Sequence, residues 1–242
     1  MNPSSPALPA LRRVLVTGAS RGLGLEFVRQ LLARGDAVLA ACRRPDGAAA
    51  LAALAAAHPD RLQVRALELT DPASRAALLD DIAAGWGAID LLINNAGVLA
   101  SGERFGHLDA AHFRTAFETN TLAPLLFAEA ATPLLAKGRA PVVAYLSSVL
   151  GSIAATQSFY TPSYAVSKAA LNMAVRMAAI PMAEQGIRSV ALHPGWVKTD
   201  MGGPAAPLEA PESVSGMLRV IDTLPADARG DFIDYRGETL PW

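Results

Sequence analysis

Arg13-Val14-Leu15-Val16-Thr17-Gly18-Ala19-Ser20-Arg21-Gly22-Leu23-Gly24 is the stretch that decides the fold. Arg13 to Val16 is a short, strand-like apolar run, and from Leu23 to Ala33 the apolar residues recur at helical spacing, with Gly35 where a helix ends. Between the two lie three glycines spaced Gly-x-x-x-Gly-x-Gly. Glycines at a strand-to-helix turn permit a tight bend and close backbone approach. The free N–H groups that open the helix then face an anion such as a pyrophosphate. The spacing differs from G-x-G-x-x-G, and in an Ala/Gly-rich chain such a turn can be only a turn. Its place directly after the first strand favours the phosphate reading.

Working outward, short apolar runs alternate with amphipathic stretches. Strands are expected at Ala37 to Cys42, Leu62 to Leu67, Ile89 to Ile93, Pro141 to Leu146, Ile187 to His193 and near Phe232 to Asp234. Helices are expected at Gly47 to Ala57, from Asp71-Pro72 (a capping residue and an N1 proline), from Asp109 to Leu135 with a bend near Pro124, from Ser163 to Glu184 and from Pro211 to Thr223. Pro194 to Pro211 is dense in Gly and Pro and reads as irregular and mobile. Buried strands alternating with helices imply an α/β fold: one doubly wound, Rossmann-type domain over 12–242, with a mostly parallel sheet of about seven strands and helices on both faces. Residues 1–11, rich in Pro, Ser and Ala, read as a flexible N-terminal arm.

Composition narrows the function. Of 242 residues, 52% are hydrophobic and 18% charged, which supplies a core and excludes wholesale disorder. Lys and Arg number 21 against 22 Asp and Glu, so no excess of positive charge suits nucleic acid or an anionic membrane. Cys42 has no partner for an internal disulfide, and His58, His107, His112 and His193 lack ligand spacing, so no metal is expected. No apolar run reaches the roughly 18 uncharged residues of a membrane span. The order of charge and apolarity at the start is the reverse of a signal peptide, so a cytoplasmic protein is expected.

The second strand ends Cys42-Arg43-Arg44. An acidic residue near this point would accept hydrogen bonds from an adenosine ribose, whereas arginine suits a 2′-phosphate. Cys42 cannot do the former. Arg43 and Arg44, with Arg21 from the glycine turn, can grip a phosphate through the planar guanidinium, or be solvated surface residues. The balance favours NADP(H) over NAD(H).

Further pieces follow in order: Asn94-Asn95-Ala96-Gly97 after the fourth strand, Asn120 in the long helix, Ser147-Ser148 after the fifth strand, Tyr164-Ala165-Val166-Ser167-Lys168, and Pro194-Gly195-Trp196-Val197-Lys198-Thr199 after the sixth. Each is weak alone; together with the glycine turn, in this order on these elements, they are specific. The chain resembles the short-chain dehydrogenase/reductase family across almost its whole length. It looks most like the branch of C-factor and sniffer-type carbonyl reductases, through Ser148 to Ile153, His193 to Gly203 and the ending Gly237 to Trp242.

The resemblance implies a catalytic set of Asn120, Ser148, Tyr164 and Lys168. Reducing a ketone or aldehyde needs a hydride on carbon and a proton on oxygen. A tyrosine, whose unperturbed pKa is about 10, needs nearby positive charge to serve near neutrality. Tyr164 and Lys168 are four apart, on one helical face, so the ammonium is expected to lower the phenol's pKa. The family also implies that Lys168 holds the nicotinamide ribose, that Ser148 bonds the carbonyl oxygen and that Asn120 positions a water leading from the lysine to solvent. Strand alternation lets only one of Ser147 and Ser148 face the pocket. Alignment with the family selects Ser148, with Ser152 the remaining competitor. His193 reads as a packing residue.

Cofactor contacts are implied for Gly18, Ser20, Arg21, Gly22, Leu23 and Gly24 in the turn, for Arg43 and Arg44, and for Tyr164 and Lys168. Asn95, Ala96 and Gly97 would let the adenosine side pass close. Glu68 and Leu69 resemble a family Asp-Val that contacts adenine, with a side chain one methylene longer. In Pro194, Gly195, Val197 and Thr199, the threonine would meet the carboxamide. Leu99 to Gly106, Leu150 to Tyr160 and Trp196 to Leu208 should meet above the nicotinamide, with Leu150, Phe159, Tyr160, Trp196 and Met201 lining an apolar pocket for a medium-sized hydrophobic carbonyl compound. The alternatives are a C-factor-like intercellular signalling protein and a non-catalytic NADP(H) sensor. Relatives pair through helices corresponding to 109–135 and 163–184, while monomers also occur in this branch. A homodimer is slightly favoured.

Overall fold

In the computed structural model, residues 11–242 are described. Each strand reads both ways across the sheet because neighbouring side chains point to opposite faces. In β1 (Arg13–Thr17), Val14 and Val16 enter one buried cluster and Leu15 the other. The same split recurs along β2 (Ala37–Cys42), β4 (Leu91–Asn94), β5 (Val142–Leu146) and β6 (Arg188–His193). Strands apolar on both faces need cover on both. One cluster takes in α1 (Gly22–Ala33) and α7 (Ala210–Thr223); the other takes in α3 (Pro72–Gly85), α5 (Ala123–Leu135) and α6 (Pro162–Glu184). With α2 (Ala49–Ala57), β3 (Leu62–Ala66) and β7 (Arg229–Asp234), the sheet runs β3-β2-β1-β4-β5-β6-β7, every pair parallel.

The strand order reverses between β1 and β4, and the crevice outside the carboxyl ends at such a point is where ligands bind in doubly wound sheets. The glycine turn, Arg43, Asn95, Ser148 and Pro194 all follow carboxyl ends there. At the opposite edge, the buried Asp90 carboxylate accepts from Arg13 N, Nε and Nη2 and from Arg139 N, tying β1 to β4; these bonds hold it down at about 2.

Two expectations change. The arm expected over residues 1–11 lies outside the described residues except for Leu11, whose carbonyl accepts from Arg139 Nη2. The long helix expected over 109–135 is α4 (Ala110–Phe117), a π-helical turn Glu118–Leu122 and then α5. Pro124 has no N–H for the carbonyl of Asn120 four residues back, and the widened turn just before it takes up the misfit. Pro194 to Pro211 is irregular but folds back on itself, with Lys198 N bonded to Leu208 O, Leu208 N to Trp196 O and Trp196 Nε1 to Gly202 O.

Candidate active site

The turn after β1 is shaped by contacts rather than by flexibility. Gly18 has φ +65°, and a Cβ there would stand 2.8 Å from Ala96 Cα. A Cβ on Gly24 would meet the Gly18 carbonyl oxygen at 2.3 Å. Asn95 Nδ2 donates to the carbonyls of Thr17 and Gly18 at 2.9 and 3.1 Å, while Thr17 Oγ1 accepts from Asn95 N and Ala96 N. Asn95 and Ala96 therefore brace the turn. Thr17 was missed, although a threonine at a strand end ahead of a glycine is a visible signal.

The helix that leaves this turn keeps its donors open. Asp71 and Asp109 cap α3 and α4 through their carboxylates. At α1, Arg21 provides no side-chain cap and no acidic residue lies in the first turn. Four N–H groups open any helix without an intrahelical partner, so this donor set fits an anion. Arg21 reaches out to Asp200 at 3.1 Å, both strongly exposed, and Thr199 lies across from Gly22, its methyl 3.5 Å from where a Cβ would be. Ser20 and Leu23 are half-buried in the same turn. Arg43 and Arg44 are exposed beyond β2, and the Cys42 thiol is buried and pushed up by burial.

After β3, the Glu68 carboxylate accepts from Thr70 N and Oγ1 at 3.3 and 2.9 Å, and the Leu69 side chain is in the core. Gly97 lies against the central cluster: a Cβ there would stand 3.2 Å from Asn120 Oδ1 and 3.9 Å from Lys168 Nζ. Pro194 is fixed by Ser213 Oγ on its carbonyl, and Gly195, at φ +84°, packs on Tyr235 and on Leu208, which is buried. Val197 is buried beneath the same segment, and Thr199 Oγ1 accepts from Gly202 N.

Ser148, Tyr164 and Lys168 are brought together, all buried. Ser147 turns the other way and donates to Asn172 Oδ1 at 2.5 Å. Ser152 is committed to the Pro241 carbonyl and to Ala155 N, which removes it as a competitor. Ser148 Oγ accepts from Leu150 N at 3.2 Å and borders the phenol. The expected lowering of the phenol is reversed. Burial pushes Tyr164 up to about 12, and the Ser148 hydroxyl offsets only part of that. Lys168 Nζ, 5.5 Å from the ring centre, donates to Leu146 O at 2.6 Å, and burial lowers it to about 7. Loss of water acts on both groups, disfavouring the charged form of each.

Asn120, lifted by the π-helical turn, accepts from Val98 N at 2.8 Å and donates to Val98 O and Ser167 Oγ. Ser167 Oγ in turn donates to the Tyr164 carbonyl. The residue thus braces the loop after β4 against α6. His193 keeps a buried, unpartnered Nδ1 and burial lowers it to about 4, as a packing histidine would show. Phe105, Phe159, Tyr160, Trp196 and Met201 are exposed, and Leu150 is half-buried.

An open helix start on one side of the crevice and a desolvated phenol beside a buried amine on the other are the two halves of a Rossmann-type oxidoreductase. The short chain dehydrogenase family profile matches residues 12–209. C-signal of Myxococcus xanthus is 47% identical over 156 residues, covering 64% of this chain and 94% of that protein. An NADPH-bound carbonyl reductase from chicken fatty liver superposes with a TM-score of 0.91 at 40% identity, over 96% of this chain and 99% of the other. The carbonyl reductase Sniffer of D. melanogaster gives 0.91 at 32% identity, over 96% and 100%. The chain belongs to the short-chain dehydrogenase/reductase family, in its carbonyl reductase branch.

Proposed function

We propose that the protein reduces a medium-sized, hydrophobic ketone or aldehyde to an alcohol with NADP(H), Tyr164 acting as acid and base. The convergence of Ser148, Tyr164 and Lys168 in one buried cluster carries the reading. The uncapped start of α1, Arg21, Arg43 and Arg44 suit a dinucleotide with a 2′-phosphate, and NADPH is bound in the chicken enzyme. When bound, the nicotinamide supplies the hydride.

This chain's residues supply the rest. Ser148 Oγ donates to the substrate oxygen. Tyr164, held neutral by burial, gives that oxygen its proton, and a hydrogen-bonded alkoxide is easier to form in a site shielded from water. Lys168, whose Nζ now donates to the Leu146 carbonyl, lies beside the Tyr164 ring and would stabilise the phenolate left behind and hold the nicotinamide ribose of a bound cofactor. Asn120, whose Oδ1 faces Gly97 near Lys168 Nζ, would lead the returning proton from solvent through a bound water, as the family resemblance implies. Phe159, Tyr160, Trp196, Met201 and Leu150 form the apolar pocket.

Purified protein assayed with NADPH and NADH against aromatic ketones and diketones should turn over with NADPH preferred. Tyr164→Phe should cut kcat by about a thousandfold or more, the loss of the proton donor. Retention of activity in that variant excludes the mechanism. A second reading, an intercellular signal, is favoured by the 47% identity with C-signal; fractionation that finds the protein mainly outside cells would support it over a cytoplasmic reductase. Exposed Val166, Met173, Met177 and Ile180 along α6, with Phe117 of α4, form an apolar stripe that supports a homodimer, to be checked by sedimentation.

A further inference from the structure

α6 begins in an unusual way. Its first flanking residue, Thr161, is in the left-handed region at φ +41° and ψ +58°, provides no side-chain cap, and has a buried Oγ1 without a hydrogen-bond partner. Pro162 brings no N–H. The next donor is Ser163, one residue before Tyr164, and its partner comes from sixty residues earlier. Glu103 Oε2 accepts from Ser163 Oγ at 2.8 Å and from Ser163 N at 3.3 Å. The Glu103 side chain is 1% exposed although its loop lies at the surface. Its other oxygen stands 3.7 Å from His112 Nδ1, within ion-pair but not hydrogen-bond range.

The loop carrying Glu103 is fastened a second time. Arg104 and His107 bridge across a tight turn that leaves Phe105 at the tip, 82% exposed. The Phe105 ring meets Phe159 edge-on, centroids 5.5 Å apart. One wall of the pocket is therefore clasped to the other at Phe105–Phe159 and at Glu103–Ser163, and the second clasp sits on the backbone that presents Tyr164. A carboxylate is also the favourable charge at a helix N-terminus.

We propose that Glu103 is a positioning residue for the reaction: it caps the catalytic helix from across the pocket and fixes where the Tyr164 hydroxyl stands when the Phe105 loop is in place. The inference rests on the reductase reading. It assigns to Glu103 neither contact with substrate nor a proton.

The test compares Glu103→Ala, Glu103→Gln and Ser163→Ala, measuring kcat, KM, NADPH affinity by fluorescence, melting temperature and amide hydrogen exchange in the first turn of α6. Glu103→Ala should lower kcat about tenfold, the cost of a misplaced catalytic group, with KM and NADPH affinity within about twofold. Exchange at Ser163 and Tyr164 should quicken about tenfold, the equivalent of one lost hydrogen bond. Glu103→Gln keeps an acceptor for Ser163 and should retain kcat and exchange within about threefold. Ser163→Ala keeps its backbone N–H and should fall between. Wild-type kcat and exchange in Glu103→Ala overturn the proposal. So does equal damage by Ala and Gln accompanied by lost NADPH affinity and melting temperature, which describes a general structural role. Should Glu103→Ala not fold, Glu103→Gln and Ser163→Ala decide by the same ranking. If the wild type turns over nothing, the reductase reading fails; exchange in α6 then decides the cap alone.

Discussion

α1 and α6 both start beside the same crevice, and they treat their open backbone donors in opposite ways. α1 has no side-chain cap and no acid in its first turn. α6 receives a carboxylate from the chain itself, Glu103 on Ser163. The same unsatisfied N–H groups are present at both starts. At α1 the first turn holds no acid and its donors stay open, which suits the phosphate of the proposed dinucleotide. At α6 an internal anion occupies the donors, which under the proposal serves order rather than binding.

The comparison breaks most severely if the α1 turn cannot form. Gly24→Ala would drive a Cβ onto the Gly18 carbonyl at 2.3 Å, and backbone there has nowhere to yield. NADPH affinity should fall more than about a hundredfold and stability by about 2–3 kcal/mol, by titration and thermal melting. A milder break gives α1 the kind of cap α6 has. Arg21→Asp puts a carboxylate at the helix start, where it competes with phosphate, and should weaken NADPH by roughly thirty- to a hundredfold with little loss of melting temperature. Repulsion from Asp200, which now pairs with Arg21, offsets the gain from capping. Unchanged affinity would mean that the first turn of α1 is not where the anion sits.

Arg43→Ala and Arg44→Ala sharpen the comparison by separating pyrophosphate from 2′-phosphate. Each should lower the preference for NADPH over NADH by up to about tenfold, one charge-assisted contact apiece, without touching NADH binding. A last effect, on stability rather than on binding, concerns the buried Lys168 amine. Lys168 is lowered from 10.5 to about 7 by burial, so between these values the unfolded chain binds more protons than the folded one and stability rises with pH. Below about 7 the buried charge is a full penalty. Lys168→Met should therefore be more stable than wild type at pH 6, by on the order of 1–2 kcal/mol, with the advantage shrinking toward pH 10; parallel melting curves for the two proteins would refute this.

The order of elements was readable before any coordinates, because seven apolar runs, each followed by a helix or a turn, have few ways to bury both faces. The motifs that meet at the carboxyl edge were readable for the same reason: in a parallel sheet every strand delivers its following residues to one edge. Bounds moved by a few residues, and the misread break near Pro124 became a π-helical turn that sets Asn120 against Val98 and Ser167. A proline's missing donor is visible in a sequence, but whether a helix kinks or widens depends on what packs on it.

Amino-acid order alone indicated the doubly wound topology, through local periodicity, and the family, through six short motifs in order; the candidate set Asn120, Ser148, Tyr164 and Lys168 came with the family resemblance. Tertiary structure alone decided the protonation balance, in which burial holds Tyr164 near 12 and Lys168 near 7 although the two are neighbours on one helix. It also decided that Asn95 and Ala96 support the site's own framework, and that Glu103 completes a helix sixty residues away. Desolvation and long-range hydrogen bonds depend on which atoms the fold brings together, and spacing along the chain carries no record of them.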